Sequence, residues 1–319
     1  MSTVAPLESQ IEKSVEFKRI MIATDFSAAS QEAWGYALAI ARRYGSEITI
    51  VHAIPPAPRR SVPMDPVPPE LNRERLLAEQ EMERFRQEAR LAHAANHVVV
   101  EQAPVWDVIS SIIEREDPDL LVLGTHGRGI LKKLALGSVA EEALRLAPCP
   151  VLTVGPKAFP PRSEVADFKN ILFATDFGPA SAKAFPYALS LAEDCQARLI
   201  LLHVLPPMPV AEVGPAAYGP ATYVAEDLTE WCKRVREESS RQLKELIPRS
   251  AKLSAPPIEL VAPDFLPEGI LDAAMSYEAE LIVMGANRTR SPRLAAHISW
   301  AITHDVLCQA RCPVLTARV

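Results

Sequence analysis

Short apolar runs alternate along the chain with longer segments in which apolar residues recur every three to four positions, and the alternation is written twice. In the first half, Arg19–Ala23 is a short apolar run ending in Thr-Asp-Phe-Ser, the pattern of a strand followed by helix-starting residues. A helix is predicted over 28–44, with Trp34, Ala37, Leu38 and Ala41 on one stripe and Gly45 as its stop. Strand 47–53, helix 70–94, strand 98–103, helix 106–116 and strand 119–124 follow, then a glycine-rich turn, helix 138–147 and strand 150–154. Strands apolar throughout, such as Leu120-Leu-Val-Leu123, suit a parallel sheet covered on both faces. Five strands with intervening helices predict a doubly wound α/β domain.

The second half repeats the first. RIMIATDFSAAS at 19–30 becomes NILFATDFGPAS at 170–181, a shift of 151 residues that carries Asp25 onto Asp176 and His52 onto His203. Asp119-LLVLGTHGRG aligns with Glu280-LIVMGANRTR, and Cys149-PVLTV with Cys312-PVLTA. A repeat this long is a whole domain, not a solenoid unit. The expected organisation is a domain over 17–156, a proline-bearing linker over 157–167 and a second domain over 168–319. Each is a five-stranded parallel sheet flanked by helices. Proline-rich insertions at 55–69 and 206–220 occupy matching places and are expected to be loops, either surface excursions or lids at a pocket edge.

Composition narrows the class of protein. The 319 residues are 48% hydrophobic and 23% charged, ordinary for a globular chain. A net charge of −6 gives no basic footprint for nucleic acid or anionic lipid. No apolar stretch is long enough to span a bilayer, and the first residues lack a signal-peptide core, so a cytoplasmic location is expected. Five cysteines are too few and odd in number for a disulfide framework. Cys308 and Cys312 lack a second ligand pair, so no zinc site is expected there.

The chemistry concentrates after the fourth strand, in Gly124-Thr-His-Gly127-Arg-Gly129-Ile-Leu-Lys-Lys-Leu-Ala-Leu-Gly137-Ser138. Its place at the carboxyl end of a parallel sheet is where open α/β folds bind ligands. Glycines let backbone N–H groups approach an anion closely, and the following helix start favours phosphate oxygens, with Ser138 as its expected cap. Arg128, Lys132 and Lys133 add positive charge. The segment is neither a P-loop nor a dinucleotide fingerprint. A plain turn is the competing reading.

The spacing G-x-x-G, nine residues, then G-[ST], here Gly124, Gly127, Gly137 and Ser138, resembles the ATP-binding signature of the universal stress protein family. The Ala-Thr-Asp25-Phe-Ser start, the Val51-His52 strand end and the Cys149-Pro-Val-Leu closing strand resemble it too, so the chain looks like a tandem two-domain member. The resemblance implies an adenine nucleotide hydrolase-like fold. It places Asp25, with Thr24, beside adenosine, Val51 or His52 near adenine, and Gly124, Gly127, Arg128, Gly129, Gly137, Ser138 and Val139 along the ribose and phosphates. It also implies ATP as ligand, with Mg2+ or Mn2+ held by the phosphates. Asp25 has a competing reading as a helix cap, and His52, His126 and His203 as satisfied polar groups at strand ends.

The second copy departs from this pattern. Gly285 and Ser299 remain, but Arg288 and Ile298 stand where the first copy has Gly127 and Gly137, and Pro292 removes a donor. The second domain is therefore expected not to bind ATP in the same manner. Arg288, Arg290 and Arg293 either grip an anion by side chain or pair with acidic residues. The second domain's expected role is architectural. Members of the family commonly pair domains through their last strands, and 150–154 with 313–317 could do so within one chain, as an intramolecular pseudo-dimer. Three functions stay open: an ATP-binding regulatory protein of the stress response with an unidentified protein partner, a slow ATPase, and a nucleotide-free scaffold. A further homodimer is compatible with each.

Overall fold

The computed structural model describes residues 15–56, 69–125, 136–205, 221–286 and 294–318. These fall into two compact units, residues 15–167 together with 286–319, and residues 168–285.

In the first unit the chain runs β1 (Arg19–Ala23), α1 (Ala28–Tyr44), β2 (Glu47–Ile54), α2 (Pro69–Leu91), β3 (Asn96–Gln102), α3 (Val105–Glu116), β4 (Leu120–Gly124), α4 (Ser138–Leu146) and β5 (Val151–Val154). The strands lie side by side in the order β3-β2-β1-β4-β5, all parallel. Ile20, Ile22, Ile48, Ile50 and Leu120–Val122 are at most 1% exposed, as expected of strands covered on both faces. Helix α1 begins where Ser27 accepts from the Ser30 amide and ends at Gly45, whose φ of 65° is the left-handed turn that glycine adopts without penalty. Its buried stripe is wider than Trp34, Ala37 and Ala41: Tyr36 and Ile40 are buried too, while Leu38 is only half-buried. The cause is the segment 157–167, which straps across α1. The Tyr36 hydroxyl donates to the Phe159 carbonyl at 2.9 Å, and the Ala166 amide to that of Ala39 at 2.8 Å.

The second unit repeats the winding with β6 (Asn170–Ala174), α5 (Pro179–Cys195), β7 (Arg198–Leu205), α6 (Ala221–Leu246), β8 (Ile258–Pro263), α7 (Glu268–Ser276) and β9 (Leu281–Ala286). Its parallel strand order is β9-β6-β7-β8. The chain continues through α8 (Leu294–Gln309) and β10 (Val314–Arg318), which belong to the first unit. There β10 lies antiparallel against β5, with Val314 opposite Thr153, Leu315 opposite Leu152 and Thr316 opposite Val151. Thr153 and Thr316 each donate a hydroxyl across the pair, to the Val314 and Val151 carbonyls at 3.2 and 3.3 Å. The last strand of the second repeat thus covers the backbone edge that β5 would otherwise expose.

Candidate functional site

β1 is flanked by β2 on one side and by β4 on the other, so the chain reverses its winding direction there. The crevice outside the carboxyl ends of β1 and β4 is the switch point of the sheet. Thr24 and Asp25 follow β1, and Gly124 closes β4.

On the β1 side, the Thr24 amide donates to the Val51 carbonyl at 2.9 Å, so that carbonyl works within the sheet, and Val51 is 1% exposed. The Thr24 hydroxyl accepts from the Phe26 amide at 3.0 Å, and Phe26 stands at φ 61°, unusual for a residue with a bulky side chain. This conformation lays the Phe26 ring against the His52 imidazole, centroids 4.4 Å apart. His52 Nδ1 is 2.7 Å from the Thr24 carbonyl, so His52 is a satisfied polar group that locks the end of β2 to the end of β1. Asp25 is half-buried, and its Oδ1 accepts from the Ser27 amide at 3.0 Å. It is not the cap of α1; Ser27 is.

On the β4 side, Gly124 has a packing reason to be glycine. A Cβ there would lie 2.7 Å from the Ala29 carbonyl carbon and 2.8 Å from the Ser30 nitrogen, both backbone atoms of α1. At Gly285 a Cβ would likewise run into the Ala180 carbonyl carbon and the Ser181 nitrogen, backbone atoms of α5. The glycine shared by both repeats therefore serves helix packing. His126, Gly127, Arg128, Gly129, Lys132 and Lys133 lie outside the described residues, as do Arg288, Arg290, Pro292 and Arg293. The description resumes at Leu136, and the Gly137 amide donates to the Thr125 carbonyl at 2.8 Å, which holds the start of α4 against the end of β4.

Ser138 was expected to cap α4, and it does not. Gly137 is the cap residue, at φ −66° and ψ 145°, and Ser138 is already the first helical residue. The extended backbone of Gly137 sets the start, and its carbonyl accepts the first helical bond, from the Glu141 amide at 2.9 Å. No side chain caps the helix, so the first-turn amides of Ser138, Val139 and Ala140 have no acceptor within it. The two groups of residues brought to the crevice are thus Thr24, Asp25 and His52 on one side and Gly124, Gly137, Ser138 and Val139 on the other.

The second repeat reproduces the β1 turn. Thr175 accepts from the Phe177 amide at 2.9 Å, Phe177 has φ 56°, and its ring lies 4.5 Å from that of His203. The helix after the fourth strand differs: α8 starts at Leu294, five residues before Ser299, the counterpart of Ser138. In an α-helix the amide of Ser299 is bonded to the carbonyl four residues back, so no open helix terminus stands at that position.

A cavity of about 310 Å³ lies at the opposite, amino end of the first sheet. Its floor includes Met21, Thr49 and His97, one row across three strands. The Glu116 carboxylate closes the row, accepting from the Thr49 hydroxyl at 2.6 Å and lying 3.0 Å from His97 Nε2. Burial raises the pKa of Glu116, but hydrogen bonds from Thr49, Arg115 and His97, with the charge of His97, outweigh it and hold the carboxyl below its usual range. Sequence reasoning passed over this cluster. Its signal is the contrast with the row Leu172, Ile200 and Ile258 of the second repeat.

On α8, Cys308 Sγ lies 4.0 Å from His304 Nε2, and His304 Nδ1 lies 3.0 Å from Asp305. Burial, with the Asp305 charge, pushes the Cys308 thiol up to about 11, the opposite of an activated nucleophile. Among the described residues, no group of three His, Cys, Asp or Glu side chains is arranged to hold a metal ion. No described helix is long and apolar enough to cross a membrane.

Known proteins resemble one repeat of this chain or the whole of it. A universal stress protein of Methanocaldococcus jannaschii is 32% identical over 142 residues, 43% of this chain and 82% of that protein. One from Thermus aquaticus is 32% identical over 141 residues, 43% of this chain and 98% of that protein. The crystal structure of a universal stress protein from Archaeoglobus fulgidus superposes with a TM-score of 0.61 at 17% identity, covering 94% of this chain and 98% of that one, which shows a common fold. Residues 16–155 and again 167–318 match the sequence pattern of the universal stress protein family, and the chain belongs to that family.

Proposed function

We propose that this protein binds ATP at one site, the crevice between β1 and β4 of its first repeat, and that occupancy of the site regulates contacts with a protein partner in the stress response. The second repeat, over 168–319, is mainly architectural in this reading.

The start of the helix after the fourth strand carries the reading. In the first repeat, α4 opens at Ser138 behind an uncapped Gly137 and offers its first-turn amides, with the positive end of the helix dipole, to an anion. Gly137 sits at a φ and ψ that any residue can adopt, so its backbone conformation does not require a glycine, whereas a phosphate held close against its backbone would. In the second repeat the same position is Ile298, inside α8. Asp25 and His52 stand across the crevice on the adenosine side. Among the described residues there, the oxygen donors are the Asp25 carboxylate and the hydroxyls of Thr24 and Ser138, a set suited to an Mg2+ or Mn2+ ion carried by the phosphates. Regulation requires that ATP bind two conformations of the protein with different affinities.

Calorimetric titration with Mg-ATP tests this. One ATP per chain is expected, with binding abolished by Gly127→Arg, which copies the second repeat. Two per chain, or none, contradicts the reading.

A further inference from the structure

The amino end of the first sheet carries a polar cluster that the duplicated copy lacks. Across its first three strands the first repeat has Met21, Thr49 and His97 where the second has Leu172, Ile200 and Ile258. Counting back from the aligned pair Asp119 and Glu280, Tyr277 stands in the place of Glu116. At the same end Glu47 lies opposite Arg19, whereas Arg198 lies opposite Asn170. The same strand order forms over either set, so the winding alone does not call for the polar one.

Part of the cluster is structural. Glu116, at the end of α3, accepts from the Thr49 hydroxyl at 2.6 Å through Oε2; its Oε1 lies 3.0 Å from His97 Nε2 and 3.1 Å from the Arg115 guanidinium. Arg19 donates to the Asp117 carbonyl at 2.8 Å and to its carboxylate at 3.1 Å, with Asp119 3.7 Å away. These bonds tie α3 and the turn after it to the sheet, and they leave two groups over. Neither the Glu47 carboxylate nor His97 Nδ1 makes a hydrogen bond among the described residues. The two stand 4.0 Å apart, beyond hydrogen-bonding distance.

A histidine that gives its Nε2 proton to Glu116 keeps, in the neutral ring, a lone pair on Nδ1. Nδ1 and the Glu47 carboxylate are then two acceptors on either side of one gap, and a donor fits between them. The surrounding charges favour a cation: Arg19 and Arg115 stand against the carboxylates of Glu47, Glu116, Asp117 and Asp119. An ammonium group supplies both, with one positive charge and three N–H donors. A metal ion suits the place less well, because both Glu116 oxygens already accept hydrogen bonds and no described trio of ligands is arranged for one. Met21, Ile112 and Pro118 make the rest of the lining apolar. At about 310 Å³ the cavity is at the small end of ligand pockets, so the stem on that ammonium must be short.

We propose that the cavity at the amino end of the first sheet is a second ligand site, which takes a protonated primary amine on a short hydrocarbon stem, its ammonium held between Glu47 and His97 Nδ1. The second repeat has Arg198 and Ile258 in those places and lacks the site. The proposal stands apart from the nucleotide reading, because the crevice lies at the other end of β1 and β4.

Proton–nitrogen correlation spectra of the histidine rings in the full-length protein test it, with His97 assigned by the signals that His97→Gln removes. Butylamine hydrochloride, added at constant pH and ionic strength, is expected to shift the His97 nitrogens saturably. Butanol, the same stem without the charge, is expected to leave them in place. The Glu47 side chain is 58% exposed, so substitution there spares the core. Glu47→Gln is expected to weaken the amine at least fivefold, and Glu47→Arg, which copies the second repeat, to abolish its binding. A shift that never saturates, an equal response to butanol, or unchanged affinity in Glu47→Gln overturns the proposal. Nα-acetyl-lysine methylamide, a lysine as a protein presents it, separates two sources of the same chemistry. Binding as tight as that of butylamine assigns the site to a partner's lysine side chain, and binding of butylamine alone assigns it to a free amine.

Discussion

Gly124 and Ser30 touch backbone to backbone: a Cβ on Gly124 would come within 2.8 Å of the Ser30 nitrogen. Gly285 stands in the same relation to Ser181. A methyl at either place must wedge the strand end from its helix, which by analogy with overpacked cores costs about 1–3 kcal/mol. Gly124→Ala and Gly285→Ala are both expected to lower the denaturant midpoint. Only Gly124→Ala is expected to weaken Mg-ATP binding as well, because its strand end borders the crevice. Equal loss of binding in both variants would contradict the single-site account.

The pairing of β10 with β5 makes the last strand part of the first unit's fold. A chain ending at Arg311 should leave the amides of Val151–Val154 along an open edge. Hydrogen exchange measured by mass spectrometry should show β5 losing protection, while the interior strand β1 keeps most of its own. Unchanged protection in β5 would mean that the pairing contributes nothing to stability.

Glu116 gives a pH dependence with a definite sign. Its carboxyl titrates below the usual range in the folded chain, so its hydrogen-bonded network stabilises the fold above that range and is lost as pH falls through it. Thermal unfolding of Glu116→Gln compared with the parent should show the larger difference near neutral pH. The difference should begin to shrink once pH falls to the ordinary glutamate value of about 4.3 and go on shrinking below it. A difference that grows on acidification would place the sign the other way.

The thiols should divide by environment. Cys232 is exposed, whereas burial pushes Cys149 and Cys308 up to about 11. Alkylation of the native protein near neutral pH should modify Cys232 first and leave Cys149 and Cys308 until unfolding. Rapid labelling of Cys308 would show that the His304 and Asp305 contacts activate it after all.

Much of the fold was legible because it is written in runs. All-apolar strands, the Gly45 stop and the repeated Ala-Thr-Asp-Phe announce two wound α/β copies without any tertiary information. Side-chain roles at helix starts were less so. Ser138 looks like a cap by residue type, but the extended conformation of Gly137 puts the cap one residue earlier. The same ambiguity hid Ser27, since Asp25 and Ser27 are both good capping residues and only the position of Ser30 tells them apart. In the second repeat, Ile298 stands where the first has Gly137. The larger change, a helix running from Leu294 through Ser299, comes from Leu-Ala-Ala ahead of it with no glycine to stop the helix. The Thr49, His97 and Glu116 cluster joins two strands and a helix end, so it becomes visible only once strand register is known.

Hydrogen exchange of the whole chain with and without Mg-ATP tests the central claim most directly, because it locates binding as well as detecting it. Slowed exchange is predicted in peptides covering 22–27 and 124–139, with those covering 173–178 and 285–299 unchanged. Protection in the second set, or in neither, would contradict the assignment of one nucleotide site to the first repeat.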